Sequence, residues 1–446
     1  MQDDICAIST PYGVGAISII RCSGPNVFNL INKIFKGKDL NKVKSHTINY
    51  GHIVYNDKII DEVLCNVYIA PHSFDGNNMV EINCHGGIFV TNKILSILLD
   101  VGFRLAERGE FSKRAFLNHR LDITECESIM DIISSTNDIA LESSNKALRS
   151  QTRLLIKSFR DKILDIIAKI EVNIDYPEYE DSVDVTHDYL KPMVFELINE
   201  METILENSKI SIPAIHGINS AIIGKPNVGK SSLLNMMLDE SKAIVSNIPG
   251  TTRDLVEGRL TIGNITLNLV DTAGIRETSD YVESIGIERS KEAINKADLI
   301  LLVLDGSNEL DKDDLELLDL TKDKLRIIIV NKIDLDKKID IENSISISAI
   351  KNEGMDVLSK KIKELTNINE INSFDGKYLN NVRQLDLMKK ALNSLKEAYN
   401  SILNLVDISL IEIDIKNAFD ALGEITGEVS PDELINALFT KFCLGK

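Results

Sequence analysis

The sequence is short of positive charge. Against 68 Asp and Glu it carries 50 Lys and Arg in 446 residues, for a formal net charge of −18 and an isoelectric point near 5.0. A chain held on nucleic acid or an anionic membrane mainly by bulk electrostatics is normally basic, so that mode is excluded. Long apolar runs are also missing. No window approaches the ~18 uncharged apolar residues of a membrane span, and the strongest short run, residues 299–304, reads as a buried strand. The acidic start Met1-Gln2-Asp3-Asp4 lacks the basic region and apolar core of a signal peptide. Six cysteines (Cys6, Cys22, Cys65, Cys84, Cys126, Cys443) form no C-x-x-C pair and no disulfide-like spacing, which points to a reducing cytoplasm. Internal repeats and low-complexity tracts are absent. What remains, at 43% hydrophobic and 26% charged, is a globular composition long enough for two to four domains.

The charge is uneven. Residues 1–120 sum to +2, residues 121–212 to −10, residues 213–373 to −7 and residues 374–446 to −3. These same segments differ in periodicity. The first alternates short β-like runs with turns: 5–9 and 16–21 flank Tyr12-Gly13-Val14-Gly15, 48–55 and 59–69 flank the hairpin signal Asn56-Asp57, and 79–84 precedes helical spacing over 88–99. It reads as an α+β domain. From about 121 the period becomes 3.6. Leu148, Leu155, Phe159, Ile163, Ile166 and Ile170 share one face, which predicts a single long helix over 140–173. Residues 216–365 then show β-α alternation with strands at 218–223, 265–270, 299–304 and 326–330, the pattern of a doubly wound parallel sheet. After about 375 helical spacing returns at Val382, Leu385, Leu392, Leu395, Tyr399, Ile402 and Val406. The last helix opens on the capping sequence Ser430-Pro431-Asp432-Glu433. Helices on both sides imply that the α/β block is inserted into a helical domain.

Gly224-Lys225-Pro226-Asn227-Val228-Gly229-Lys230-Ser231 follows a predicted strand, opens a predicted helix and satisfies G-x-x-x-x-G-K-[ST]. Its glycines let backbone N–H groups curl around phosphates, Lys230 reaches the β and γ oxygens, and the Ser231 hydroxyl suits Mg²⁺. Asp271-Thr272-Ala273-Gly274 ends another strand, where an Asp meets the magnesium shell and a Gly N–H meets the γ-phosphate. Asn331-Lys332-Ile333-Asp334 ends a third, and the Asp334 carboxylate accepts two N–H groups that guanine has and adenine lacks. Three motifs in this order at three strand ends specify a GTPase.

One position departs from the Ras-like pattern, which places Gln after the last Gly of the second motif to orient water. Here it is the apolar Ile275. Hydrolysis therefore needs another water-positioner and another source of positive charge. Arg253, Arg276, Glu277, Asp280 and Glu283 are the nearby candidates, and spacing alone does not choose among them.

Gly-Lys-Pro-Asn-Val-Gly-Lys-Ser, Gly250-Thr251-Thr252-Arg253-Asp254, Asp-Thr-Ala-Gly-Ile-Arg-Glu at 271–277 and the terminal Cys443-Leu444-Gly445-Lys446 together resemble the MnmE (TrmE) family of tRNA-modification GTPases. The similarity extends through residues 7–24, 80–87 and 114–118. The tail after a helical segment is specific, whereas the GTPase motifs are shared by many families. The resemblance implies an N-terminal α+β folate-binding and dimerisation domain (1–120), a helical domain in two parts (121–212 and 374–446) and an inserted Ras-like P-loop GTPase domain (213–373). It implies a homodimer that joins an FAD/NADH-dependent partner of the MnmG (GidA) family as a heterotetramer. Together they place an aminomethyl or carboxymethylaminomethyl group on C5 of the tRNA wobble uridine, using a tetrahydrofolate one-carbon unit.

Residue by residue, the resemblance implies a GTP site of Asn227, Val228, Gly229, Lys230, Ser231 and Ser232. It continues with Ser246, Asn247, Ile248, Pro249, Gly250, Thr251, Thr252, Asp271, Thr272, Ala273 and Gly274. Asn331, Lys332, Asp334, Ser348 and Ala349 complete it. Ile350 replaces the more usual Lys of the guanine-stacking loop. Mg²⁺ falls to Ser231 and Thr252, and a stimulating K⁺ to Asn227, Ser246, Ile248 and Thr251. Lys230 and Glu283 are the catalytic residues, Glu283 orienting water, and the K⁺ supplies charge that other GTPases take from an arginine finger. A 5-formyl or 5,10-methylene tetrahydrofolate would be held by Arg21, Glu81, Arg120 and Lys446. Arg120 stands where the family has Lys, which keeps the charge but not the geometry. Cys443 is either a nucleophile or a positioning residue, and Cys84-His85, lacking a second pair, is not read as a metal site.

Lys146, Arg149, Arg153, Lys157 and Arg160 recur at helical spacing as one basic stripe. A tRNA backbone, the partner enzyme or the acidic segment at 175–188 could balance it. The lysines of residues 33–44 form a second basic segment. Any tRNA contact should therefore be weak, salt-sensitive and shared with the partner. The rival reading is a GTP-switched RNA-binding ribosome-assembly factor without folate chemistry. Against it stand the folate-like N-terminal segment, the tail, and the absence of a recognisable RNA-binding module after the GTPase block.

Overall fold

A computed structural model describes residues 3–175, 186–240, 256–270, 292–366, 374–429, 432–440, 442 and 445. The chain divides into two units, Met1–Met130 with Gly423–Lys446, and Asp131–Leu422.

In the first unit, β1 (Ile5–Ile8), β2 (Ile17–Ser23), β3 (Phe35–Lys36), β4 (Thr47–Tyr55), β5 (Lys58–Tyr68), β6 (Met79–His85) and β7 (Arg104–Leu105) form a sheet in the order β3-β4-β5-β6-β2-β1-β7. Every pair is antiparallel except β1–β7. Strand alternation decides the faces. Ile53, Val63, Cys65, Val67, Val80 and Ile82 point into the core, while Ile48, Tyr50 and Leu64 point out. Asn56 and Asp57 both take positive φ, 50° and 57°, as a two-residue type I′ hairpin requires. Helix α1 (Val27–Asn32) and helix α2 (Ile88–Val101) cover the inner face, α2 with Ile94, Ile97 and Leu98. Helix α3 (Glu110–Leu117) begins beside Gly109, where a Cβ would run into the Phe439 carbonyl. Phe439 and Phe442 pack there with Ile123 and Cys126, so the C-terminal segment completes this unit's core.

The second unit holds the α/β block and most of the helices that follow α4 (Ile123–Ser134), whereas the last helix of the chain belongs to the first unit. The single helix expected over 140–173 is two, α5 (Asp138–Leu148) and α6 (Gln151–Asp175). Ser150 adopts φ 64°, outside the helical region, and ends the first ladder. The apolar face lies on α6 alone, where Ile156, Phe159, Ile163, Ile166 and Ile170 are buried; Leu148 and Leu155 are only partly covered. The basic stripe is broken with it. Lys146 belongs to α5 and pairs with Glu142 at 2.8 Å, while the Arg160 guanidinium stacks 4.1 Å from the Phe419 ring. That locates two members of the stripe in intramolecular contacts.

Helix α7 (His187–His216) leads directly into β8 (Ile218–Ile223). With β9 (Val256–Ile262), β10 (Ile265–Val270), β11 (Leu299–Asp305), β12 (Arg326–Asn331) and β13 (Ile345–Ser346) it forms a sheet ordered β13-β12-β11-β8-β10-β9. Five strands are parallel, and the edge strand β9 runs antiparallel to β10 through a tight turn at Gly263. The block is therefore mixed rather than wholly parallel. Strand β11 shows why an unbroken apolar run is right for a central strand: Leu299, Leu301 and Val303 enter the core on one face, and Ile300, Leu302 and Leu304 enter the core on the other. Helices α8 (Lys230–Glu240), α9 (Lys312–Leu320) and α10 (Met355–Thr366) belong to this block.

After it, α11 (Val382–Leu403) packs on α7, and α12 (Ile408–Thr426) follows a break at Leu405, φ 54°. Val382 is exposed and Val406 lies beyond α11, so neither joins the face expected of them. The last helix, α13, spans Asp432–Phe439; its expected cap, Ser430 with Pro431, lies outside the described residues. Among the described residues no helix is long and apolar enough to cross a membrane.

Candidate functional site

Parallel strands carry their loops at one edge, so residues distant in sequence meet beyond the carboxyl ends of the strands. After β8 the loop turns at Gly224 (φ 158°) and Gly229 (φ 98°). A Cβ at Gly224 would enter the Val303 carbonyl, and one at Gly229 would enter the Asn331 amide. Only glycine allows this close backbone approach. Between them Asn227 takes φ 62° and is exposed, while Val228 is buried. Lys230 opens α8, with Ser231 and Ser232 in its first turn.

Three of the motif segments are joined by one side chain. Asn331 donates to the Val228 carbonyl at 2.9 Å and accepts from the Ala349 N–H at 3.0 Å. It is 2% exposed, so its removal would leave buried backbone groups unpaired. Lys332 (φ 66°) pairs with Asp305 at 2.7 Å. Burial pushes the Asp305 carboxyl up, but the Lys332 ammonium and the Ser307 hydroxyl and N–H outweigh it and hold it at about 2. Ser348 donates to Asp334 at 2.7 Å, which lowers that carboxyl and leaves it an acceptor. Ile350 is 79% exposed beside it. Lys230 donates to the carbonyls of Gly224 and Lys225, both at 2.7 Å, and burial pushes its ammonium down.

These features pass a physical test for a phosphate ligand. The cradle is one that a Cβ would fill, a lysine stands over its mouth, and a helix N-terminus opens behind it. Ser231, expected as a magnesium ligand, follows Lys230 in the first turn of α8. Of the expected potassium set only Asn227 is described. Ser246, Asn247, Ile248, Pro249, Gly250, Thr251, Thr252, Arg253, Asp271, Thr272, Ala273, Gly274, Arg276, Glu277, Asp280 and Glu283 lie outside the described residues.

The second site lies on the sheet of the first unit. Arg21 on β2 and Glu81 on β6 are direct cross-strand partners. Their side chains, 12% and 16% exposed, meet at 2.9 Å through Nη2 and at 3.1 Å through Nε, both on one carboxylate oxygen. The other oxygen accepts from the Tyr68 hydroxyl at 3.4 Å; burial and Glu81 push that hydroxyl up. The Arg21 guanidinium lies 4.7 Å from the Phe74 ring centre and 5.6 Å from that of Phe111. Its Nη1 donates to the Gly445 carbonyl at 3.3 Å, which also accepts from Ser9 at 3.2 Å. Gly445 is buried at φ 87°, and a Cβ there would sit 2.5 Å from the Ile8 carbonyl. A carboxylate, a guanidinium and aromatic faces fit a flat heterocycle with N–H donors.

Arg120 is exposed in the turn after α3 and makes no hydrogen bond or ion pair with Arg21 or Glu81. Cys443 and Lys446 lie outside the described residues. The five described cysteines are all buried, and burial pushes the Cys6 and Cys65 thiols up to about 12, so none is a reactive thiolate. His85 pairs with Asp61 at 2.6 Å, and no three potential metal ligands cluster among the described residues. Sequence reasoning missed Ser9, Tyr68, Phe74 and Asp305. The first three are found only through strand register and folding of the tail. Asp305 ends the strongest apolar run, which is a usable signal.

Two family models match the chain: the MnmE helical domain over residues 123–443 and the GTP-binding protein TrmE N-terminus over residues 4–120. The tRNA modification GTPase MnmE of Acholeplasma laidlawii is 47% identical over 443 residues, 99% of each chain. That of Lactococcus lactis subsp. cremoris MG1363 is 49% identical over 448 residues, covering 100% of this chain and 98% of the relative. A crystal structure of an Aquifex aeolicus Era variant bound to GDP and AlF4⁻ is 31% identical over 33% of this chain and 56% of that one. Its TM-score of 0.26 is too low to bear on the fold.

Proposed function

Because the chain belongs to the MnmE family of tRNA modification GTPases, we propose that it is a K⁺-stimulated GTPase whose hydrolysis drives folate-dependent modification of the tRNA wobble uridine. It does so in the cytoplasm as a homodimer, with a flavin- and NADH-dependent partner of the MnmG family. The observation that carries the folate part is the Arg21–Glu81 pair closed by the carbonyl of Gly445, one residue of the specific tail.

The roles follow from charge and donor count. Gly224 and Gly229 keep side chains out of the phosphate loop. Lys230 leaves two carbonyls for phosphate oxygens, where its charge offsets charge that grows in the transition state. Asp334, fixed by Ser348, accepts from two guanine N–H groups, and Asn331 ties its loop to the phosphate loop. Ile275 cannot orient water, and this role falls to Glu283. Mg²⁺ at Ser231 and Thr252, with K⁺ at Asn227, Ser246, Ile248 and Thr251, would supply the remaining positive charge. On the sheet, Glu81 accepts from the amino and ring N–H groups of a pterin, while Arg21, Arg120 and Lys446 suit the anionic tail of a folate.

The test is reconstitution. The full chain, the flavin partner, tRNA, GTP, K⁺ and methylene-tetrahydrofolate should yield a modified wobble uridine. Omitting either GTP or the folate should abolish it. Product formed without folate would overturn the proposed chemistry.

A further inference from the structure

Lys225 occupies a variable position of the phosphate loop, yet its side chain is held more firmly than its place in the motif requires. Its Nζ lies 2.5 Å from Asp311 Oδ2 and 2.7 Å from Asp314 Oδ2. Both acids already cap α9. Asp311 accepts from the N–H groups of Asp313 and Asp314, each at 3.1 Å, and Asp314 accepts from the N–H of Asp311 at 3.2 Å. A helix N-terminus repels a cation, so Lys225 is seated there only because two carboxylates stand in front of the dipole. The Asp314 side chain is 6% exposed, and its other oxygen, Oδ1, is buried without a hydrogen-bond partner among the described residues. Lys225 is therefore the countercharge of a buried carboxylate. Burial alone would push its ammonium down, but the two acids outweigh this and hold it up.

The main chain of the same residue does something different. The Lys225 carbonyl, with that of Gly224, receives the Lys230 ammonium. One residue thus links the capped end of α9 to the lysine that faces the phosphates.

We propose that Lys225 is a positioning residue for the nucleotide: its ion pairs to Asp311 and Asp314 fix the phosphate-loop backbone at the height from which Lys230 reaches GTP. This rests on the GTPase reading of the site. The effect falls on binding more than on chemistry, because the tether sets the loop and touches no reacting atom. Lys225→Met in the full chain should weaken GTP binding by about fivefold or more. Turnover at saturating GTP should stay within about threefold of wild type. Lys225→Arg, which keeps the charge, should recover most of the affinity.

A purely structural role would also lower affinity, by leaving Asp314 buried without its countercharge. The double variant Lys225→Met/Asp314→Asn separates the two, since it removes the uncompensated charge. Melting temperature should return toward wild type while GTP affinity stays low. Each variant is titrated with GTP and assayed for phosphate release. The proposal is overturned if Lys225→Met binds GTP as wild type does, or if the double variant regains affinity together with stability. Failure of the wild-type chain to bind GTP would instead overturn the functional reading on which the proposal rests.

Discussion

In the six-stranded sheet the functional residues leave the carboxyl ends of neighbouring parallel strands, and loops bring Gly229, Asn331 and Ala349 together. In the seven-stranded sheet Arg21 and Glu81 face each other across an antiparallel ladder, and the site is completed by Gly445, 424 positions away from Arg21 in the chain. The first site is built from short contiguous motifs, each of which keeps its chemistry within a few residues. The second is built from strand register and from Gly445 near the chain's end, so its members are single residues scattered through the sequence. A motif site can be damaged by one loop residue. A register site can be damaged by a backbone position that carries no functional side chain.

The sharpest way to separate the two is Lys230→Ala. Hydrolysis should fall by at least about 100-fold, as loss of one transition-state charge contact does, while folate binding stays at its wild-type value. Next comes the cation. Replacing K⁺ by Na⁺ at equal ionic strength should slow phosphate release by roughly tenfold, because the proposed K⁺ supplies positive charge that other GTPases take from an arginine finger. Equal rates in both salts would exclude K⁺ as the activator.

On the other sheet, Gly445→Ala puts a Cβ 2.5 Å from the Ile8 carbonyl at a φ of 87°. Displacing the tail should weaken folate binding about tenfold, with hydrolysis unchanged within about twofold. Loss of both activities would mean that the two sites are not separate. The smallest effect is on stability. The folded Asp305 carboxyl is held at about 2 against an ordinary value of 3.8. Its contribution is therefore present above about pH 4 and is lost as pH falls toward 2. Asp305→Asn should lower the melting temperature by a few degrees at neutral pH and flatten its decline between about pH 4 and pH 2 in acid-unfolding scans.

The difference between the sheets also explains what could be read from residues alone. The strands of the α/β block are legible because central strands are apolar on both faces, as β11 is. The edge strand β9, Val-Glu-Gly-Arg-Leu-Thr-Ile, is half polar and escapes that reading. The period-3.6 pattern over 140–173 is real, but periodicity does not register a single residue leaving the helical region, as Ser150 does. At the nucleotide site the motifs name the residues, while the roles of Asn331 as a three-way tie and of Lys225 as a tether need coordinates. At the sheet site, Arg21 and Glu81 are reached only through family resemblance, since no spacing rule connects residues 60 apart. Arg120, reached by the same route, is exposed and forms no ion pair with Glu81.

That one chain carries a GTPase site and a separate folate site is tested most directly by calorimetric titration of the full-length protein with 5-formyl-tetrahydrofolate. Glu81→Ala is run alongside, and GTP hydrolysis is measured on both. The expected result is saturable binding by the wild type, its loss in Glu81→Ala, and the same hydrolysis rate in each. No saturable heat with the wild type, or identical isotherms for the two proteins, would contradict it.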